Sequence, residues 1–200
     1  MDTTCVGAAL LPHPPIMLPE IGGAELQKMQ TTVESVTDAA ELLLARSPET
    51  LVIVSPHNYI FSNTAALYTA PVLHGDLGRF GYPELKMSMN TDMELAEEIL
   101  RQAEGKASLC RIDPEWGEKY GHPLHLDQGA FVPLYYLRQA GFTGSIVLLS
   151  PCFDDYSTMF ALGSLVIQAA ARIGRRIGII ASGDLSHCLL PEAPNGYSPS

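Results

Sequence analysis

The chain is poor in positive charge. It sets 12 lysines and arginines against 22 aspartates and glutamates over 200 residues, for a formal net charge of −10. Apart from the Arg175–Arg176 pair, no basic cluster occurs. A protein that grips phosphate backbones needs a positive footprint, so nucleic acid is not an expected partner. An anionic membrane surface is disfavoured for the same reason. Cysteine is sparse as well: Cys5, Cys110, Cys152 and Cys188 are widely spaced and no C-x-x-C pair exists. That argues against a structural zinc site and a disulfide framework, and it fits a reducing cytoplasm. No apolar run is long enough to span a bilayer. No lysine or arginine precedes the short apolar run near the N-terminus, which argues against a secretory signal. Internal repeats and low-complexity tracts are missing too.

What is present is core-forming material. Hydrophobic residues make up 46% of the chain and charged residues 17%, a globular composition in which 200 residues predict one domain. "CVGAALL" at 5–11 predicts a short buried strand, and "TLVIVSP" at 50–56 a central strand buried on both faces. "SIVLLSP" at 145–151 and "RIGIIASGD" at 176–184 have the same character. Weaker strands are expected over 64–70, 85–89 and 108–112. Apolar residues at helical spacing predict helices over about 24–46, 129–139 and 156–173, the second with Asp127 near its start. Thr91, with Glu94 three residues on, is the expected N-cap of a further helix ending near Ala103. Pro114, Gly117, Gly121 and Pro123 predict a long loop over 113–127. Strands and helices alternate, so the expected class is α/β: a three-layer α/β/α sandwich around a mostly parallel or mixed sheet. The chain ends in the turn-rich "PEAPNGYSPS". A single domain over 1–200 is therefore expected to have a C-terminal portion beyond it.

Three of the buried strands run into a polar motif that carries a histidine. "LPHPP" holds His13, "SPHN" holds His57 and "SGDLSH" holds His187. In open α/β sheets, ligands bind at the carboxyl ends of the strands. One histidine in a loop is commonly a polar tip on a turn, but three strand ends each presenting one form a pattern. "GHPLHLDQG" adds His122 and His125 as candidate neighbours, whereas His74 in "VLHGD" is expected on the surface. Two imidazoles and one carboxylate make the facial set that leaves open positions on non-haem iron(II). His13 and His57 suit the imidazole roles, since the prolines beside them restrict the backbone. Glu20, Asp184 and Glu192 are carboxylates within the chain, none with a context that selects it. Strand-end histidines also suit zinc and metal-assisted hydrolysis. Asp184, Ser186 and His187 lie close together, but no G-x-S-x-G elbow supports a serine hydrolase.

"LLPHPPIMLPEIG", "SPHNY", "LDQGAFVPLYYL" and "SGDLSH", in that order, resemble the LigB-type class III extradiol ring-cleavage dioxygenase superfamily. Within it, the chain is most similar to the dioxygenase-like domain of AmmeMemoRadiSam system proteins, which is related to the Memo proteins. The resemblance implies iron(II) held by His13 and His57, with His187 as an acid–base histidine. It places the third ligand, a glutamate, beyond the matched segment. The family usually writes Asp-His-Gly where this chain has Asp127-Gln128-Gly129. Glutamine donates and accepts hydrogen bonds but does not titrate, so Gln128 is expected to orient rather than to shuttle a proton. His125, or His122, is the candidate to substitute for the missing histidine. The implied activity is O2-dependent ring cleavage of a catechol-type diol. The alternative is a metal- or partner-binding protein of the same scaffold. Expected partners are thus a small aromatic diol and O2, with self-association left open.

Overall fold

The computed structural model of the chain describes residues 4–153, 156–183, 191–192 and 196–197. β1 (Cys5–Leu11) leads through the short helix α1 (Pro19–Gly22) and a 3-10 segment (Gly23–Met29) into α2 (Gln30–Leu44). β2 (Thr50–Val54) and β3 (Ala65–Tyr68) follow, and then a hairpin of β4 (Val72–Leu77) and β5 (Tyr82–Asn90). Beyond it come α3 (Met93–Ala103), β6 (Leu109–Ile112), α4 (Pro114–Tyr120) and α5 (Gln128–Gln139). β7 (Ser145–Ser150), α6 (Tyr156–Arg172) and β8 (Ile177–Ser182) complete the order.

Six strands form one sheet in the order β1-β8-β2-β7-β3-β6. Every neighbouring pair is parallel except β3 with β7. Successive side chains on a strand point to opposite faces, and here both faces are apolar. Leu51 and Ile53 of β2 join the core under α2 and α5, while Val52 joins the core under α3 and α6. β7 divides in the same way, with Ile146 and Leu148 on the first face and Val147 and Leu149 on the second. This is the three-layer α/β/α architecture expected from the alternation of elements. Each fully buried aliphatic side chain contributes about 1.5–3 kcal/mol, so the two cores fix the strands that carry the site.

Four local expectations are corrected. β1 lies at the sheet edge, where only Leu11 is buried and Leu10 is 56% exposed, so it is not a buried strand. The regular α-helix begins at Gln30 rather than near residue 24, because the segment after Gly22 winds as a 3-10 helix. Asp92, not Thr91, caps α3: its carboxylate accepts from Leu95 N at 3.0 Å. The Thr91 hydroxyl donates instead to Ala70 O at 2.5 Å. The expected loop at 113–127 contains α4. Asp113 caps it by accepting from Trp116 N, Pro114 fills its first turn, and Gly121 ends it at φ 68°. Proline at the first position and a left-handed glycine at the end are what a short helix requires. The supposed breakers are therefore its boundaries. No helix among the described residues is long and apolar enough to cross a membrane.

Candidate metal centre

β1, β8 and β2 are parallel neighbours, so their carboxyl ends share one edge of the sheet. Leu11, the last residue of β1, is in register with Ser182, the last of β8. His13 follows just beyond β1 and His57 just beyond β2. Their side chains meet. The two Nε2 atoms are 2.8 Å apart, and the rings stand edge to face with centroids 4.6 Å apart and 88° between planes. His13 is buried at 4% exposure, whereas His57 is open to solvent.

Both loops are tethered. After His13, the prolines start a 3-10 turn in which Met17 N donates to Pro14 O and Leu18 N to Pro15 O, at 3.0 and 2.9 Å. Met17 and Leu18 are fully buried, and the Tyr136 hydroxyl donates to the Met17 carbonyl. Burial pushes the Tyr136 phenol up to about 12, with the neighbouring Tyr135 and Glu20 adding to the shift. On the other loop, Ser55 N donates to Leu149 O at 2.9 Å, and Ser55 Oγ donates to Asp127 Oδ1 at 2.5 Å. Asn58 Nδ2 donates to His125 O at 2.8 Å, and Tyr59 N donates to the Tyr68 hydroxyl at 2.9 Å. His57 is thus flanked by anchored residues on both sides.

Behind the rings lies a buried polar layer. His13 Nδ1 is 2.8 Å from Ser182 Oγ, and the Ser182 hydroxyl donates to Gly129 O at 2.5 Å. Asp127 caps α5 by accepting from Ala130 N at 2.9 Å. Its Oδ2 is buried with no hydrogen-bond partner among the described residues. The Tyr68 phenol is held far above its usual range, first by burial and then by the nearby Asp127 charge, against the opposing effect of its Ser150 hydrogen bond.

His13 and His57 are brought together at this edge of the sheet. Gln128 opens α5 between Asp127 and Gly129. The His125 ring turns its Nδ1 toward Pro123 O at 3.0 Å. His122 stands in an aromatic cluster with Tyr59 and Trp116, at centroid distances of 5.0 and 6.3 Å. His74 is exposed on β4, with Nδ1 2.7 Å from Ser88 Oγ. Asp184, Ser186 and His187 lie outside the described residues. Glu20 is exposed on α1 and Glu192 in a turn. Among the described residues, no third histidine, cysteine or carboxylate joins the pair in a metal-binding group. Sequence reasoning had not singled out Ser55 or Ser182. Each is the first polar residue after an apolar strand run, and that is the signal that marks it.

The sequence model described as the catalytic LigB subunit of aromatic ring-opening dioxygenase matches residues 7–200. The chain belongs to the LigB family. Its relatives include a protein of Clostridium acetobutylicum, 31% identical over 195 residues, which are 97% of this chain and 42% of that protein. A MEMO1 family protein of Pyrococcus abyssi is 29% identical over 140 residues, 70% of this chain and 43% of that one. A MEMO1 family protein of Pyrococcus furiosus is 27% identical over the same length, with 42% of it covered. The chain therefore spans less than half the length of these relatives. In structure, the chain is similar to an uncharacterized protein of Escherichia coli K12, with a TM-score of 0.51 at 17% identity over 76% of this chain and 53% of that one. That likeness concerns the fold.

The LigB family implies a metal, and the paired histidines fit one. Two imidazole nitrogens from separate strand ends converge at a single point. One ring is held from behind through its other nitrogen, as metal-ligating histidines commonly are. Imidazole donors suit iron and zinc.

Proposed function

We propose that the chain carries the metal-binding site of a non-haem iron(II)-dependent, extradiol dioxygenase-like protein acting with O2 on a catechol-type aromatic diol. One observation carries this reading: His13 Nε2 and His57 Nε2 face each other at 2.8 Å on the edge where three parallel strands end. His13 and His57 would hold the iron(II), with the carboxylate of the facial set supplied by a residue not among those described. Bound iron(II) supplies open positions at which a diol and dioxygen react. The protein's own share is positioning and proton handling. His13, buried and tethered at Nδ1, keeps its donor atom in place. Gln128 can orient a bound oxygen through hydrogen bonds but cannot take its proton. Proton removal then falls to a histidine, His187 by resemblance, with His125 as the second candidate. General acid–base help of this kind contributes ~10²–10⁴-fold.

The test is an anaerobic iron(II) titration with His13→Ala and His57→Ala as controls, followed by oxygen uptake on a panel of catechol-type diols. Stoichiometric binding lost in both variants, together with uptake on a diol, supports the reading. Binding indifferent to both changes removes it. A second reading, a metal- or partner-binding protein without oxygenase activity, draws on Gln128 and on relatives named MEMO1 family proteins. It is favoured if iron(II) binds and no diol is consumed. Tight zinc in place of iron would instead favour metal-assisted hydrolysis.

A further inference from the structure

We propose that Ser182 is a positioning residue that locks His13 in the tautomer with its proton on Nδ1, leaving the Nε2 lone pair to face His57. The reasoning begins in α5. A carbonyl in a regular helix accepts from the N–H four residues on. For Gly129 that residue is Pro133, which lies inside α5 and has no N–H. The Gly129 carbonyl therefore needs a donor from elsewhere, and Ser182 Oγ supplies it at 2.5 Å. A carbonyl oxygen only accepts, so the single hydroxyl proton of Ser182 is committed there. What remains at Ser182 Oγ is acceptor capacity. His13 Nδ1, 2.8 Å away, must then be the donor. A neutral imidazole carries one N–H, and the bond made by one ring nitrogen decides the state of the other. The Nε2 of His13 is left unprotonated, 2.8 Å from His57 Nε2.

The lock is placed by the fold. Asp127 caps α5 and is itself held by Ser55, so the Gly129 carbonyl sits on an anchored first turn. Ser182 ends β8 in register with Leu11, which brings its hydroxyl beside the loop that carries His13. One missing N–H in α5 is thus converted into the orientation of a donor atom on another loop. A free neutral histidine side chain prefers its proton on Nε2, the atom a metal would need here. Ser182 opposes that preference before any metal arrives.

The consequence for metal affinity rests on the iron-site reading above, but the tautomer itself does not. Imidazole ¹⁵N shifts of the metal-free chain, with the His13 signals identified by their loss in His13→Ala, report it directly. The expected wild-type spectrum has a protonated Nδ1 and an unprotonated Nε2 at His13. In Ser182→Ala the proton moves largely to Nε2. Anaerobic iron(II) titration of the same two proteins should show about 10–100-fold weaker binding in Ser182→Ala, the usual effect of removing a partner that orients a metal ligand. A wild-type His13 protonated on Nε2, or an Nδ1 proton that persists in Ser182→Ala, overturns the proposal. If neither protein binds iron(II) while the tautomer shifts as described, the iron reading fails and the lock stands.

Discussion

Gly129 lies against the Ser55 hydroxyl with no room for a methyl group between them: a β-carbon at position 129 would stand 2.3 Å from Ser55 Oγ. The same carbon would come within 2.9 Å of Asp127 Oδ1 and 3.3 Å of His57 Cδ2. Ser55 and Asp127 are held to each other by a hydrogen bond and have little freedom to retreat. Gly129→Ala should therefore cost about 1–3 kcal/mol, the usual range for overpacking. It should also displace His57 and, on the proposed iron-site reading, weaken iron(II) binding. Urea denaturation gives the first value and titration the second. Stability within about 0.5 kcal/mol of wild type would show that the layer behind the histidines is looser than its geometry implies.

On the proposed iron-site reading, His13→Ala and His57→Ala should abolish metal binding alike, yet they should differ in stability. His13 is buried and occupies Ser182, so its removal leaves a buried hydroxyl short of a partner and costs about 1–3 kcal/mol. His57 is exposed, so its loss removes mainly its hydrogen bond to His13 and should cost less, about 0.5–1.5 kcal/mol. Chemical denaturation of the two metal-free variants separates the cases. Equal losses would mean that His57 has a structural role its exposure does not suggest.

Gln128→His would restore a titrating group at the start of α5. If the chain supports diol cleavage, this change should raise the rate by up to ~10²–10⁴-fold, the range for one acid–base group. Iron(II) affinity should not change. Oxygen uptake per bound iron is the measurement. A rate unmoved or lowered would mean that proton handling does not pass through this position.

Of the 8 tyrosines, Tyr68 and Tyr136 should ionise last. Burial is the leading cause in both. A phenol whose folded pKa is raised contributes stability that is fully present below its unfolded value of about 10. That stability is lost as the pH rises from there toward the folded value. The protein should thus weaken progressively above pH ~10, and the last phenolate absorbance should appear together with unfolding. Absorbance near 295 nm and far-UV circular dichroism, followed on one alkaline titration, test this. Complete phenolate formation in a chain that remains folded would contradict it.

Much of the architecture was legible because the strands buried on both faces are apolar without interruption. "TLVIV" and "SIVLL" suit the interior of a sheet covered by helices on both faces. "CVGAALL" is equally apolar, but its position at the edge depends on which strand lies beside it, and composition does not carry that. The helix within 113–127 was hidden because Asp113, Pro114 and Gly121 are loop residues in one context and helix boundaries in another. The choice rests on whether the residues between them have something to pack against, as Trp116 does against Tyr59 and Phe61.

By itself, the sequence determined that His13 and His57 sit where apolar strands stop, and that position 133, a proline, has no backbone N–H to donate. Both follow from covalent structure and local spacing, which no tertiary arrangement alters. Only the tertiary structure decided that the two histidines meet, because their approach depends on β8 pairing between β1 and β2. It alone decided that Ser182 supplies the missing donor, since 53 residues separate that hydroxyl from the carbonyl it serves. Hydrogen bonds act over about 3 Å, so such partners are chosen by packing and not by proximity along the chain.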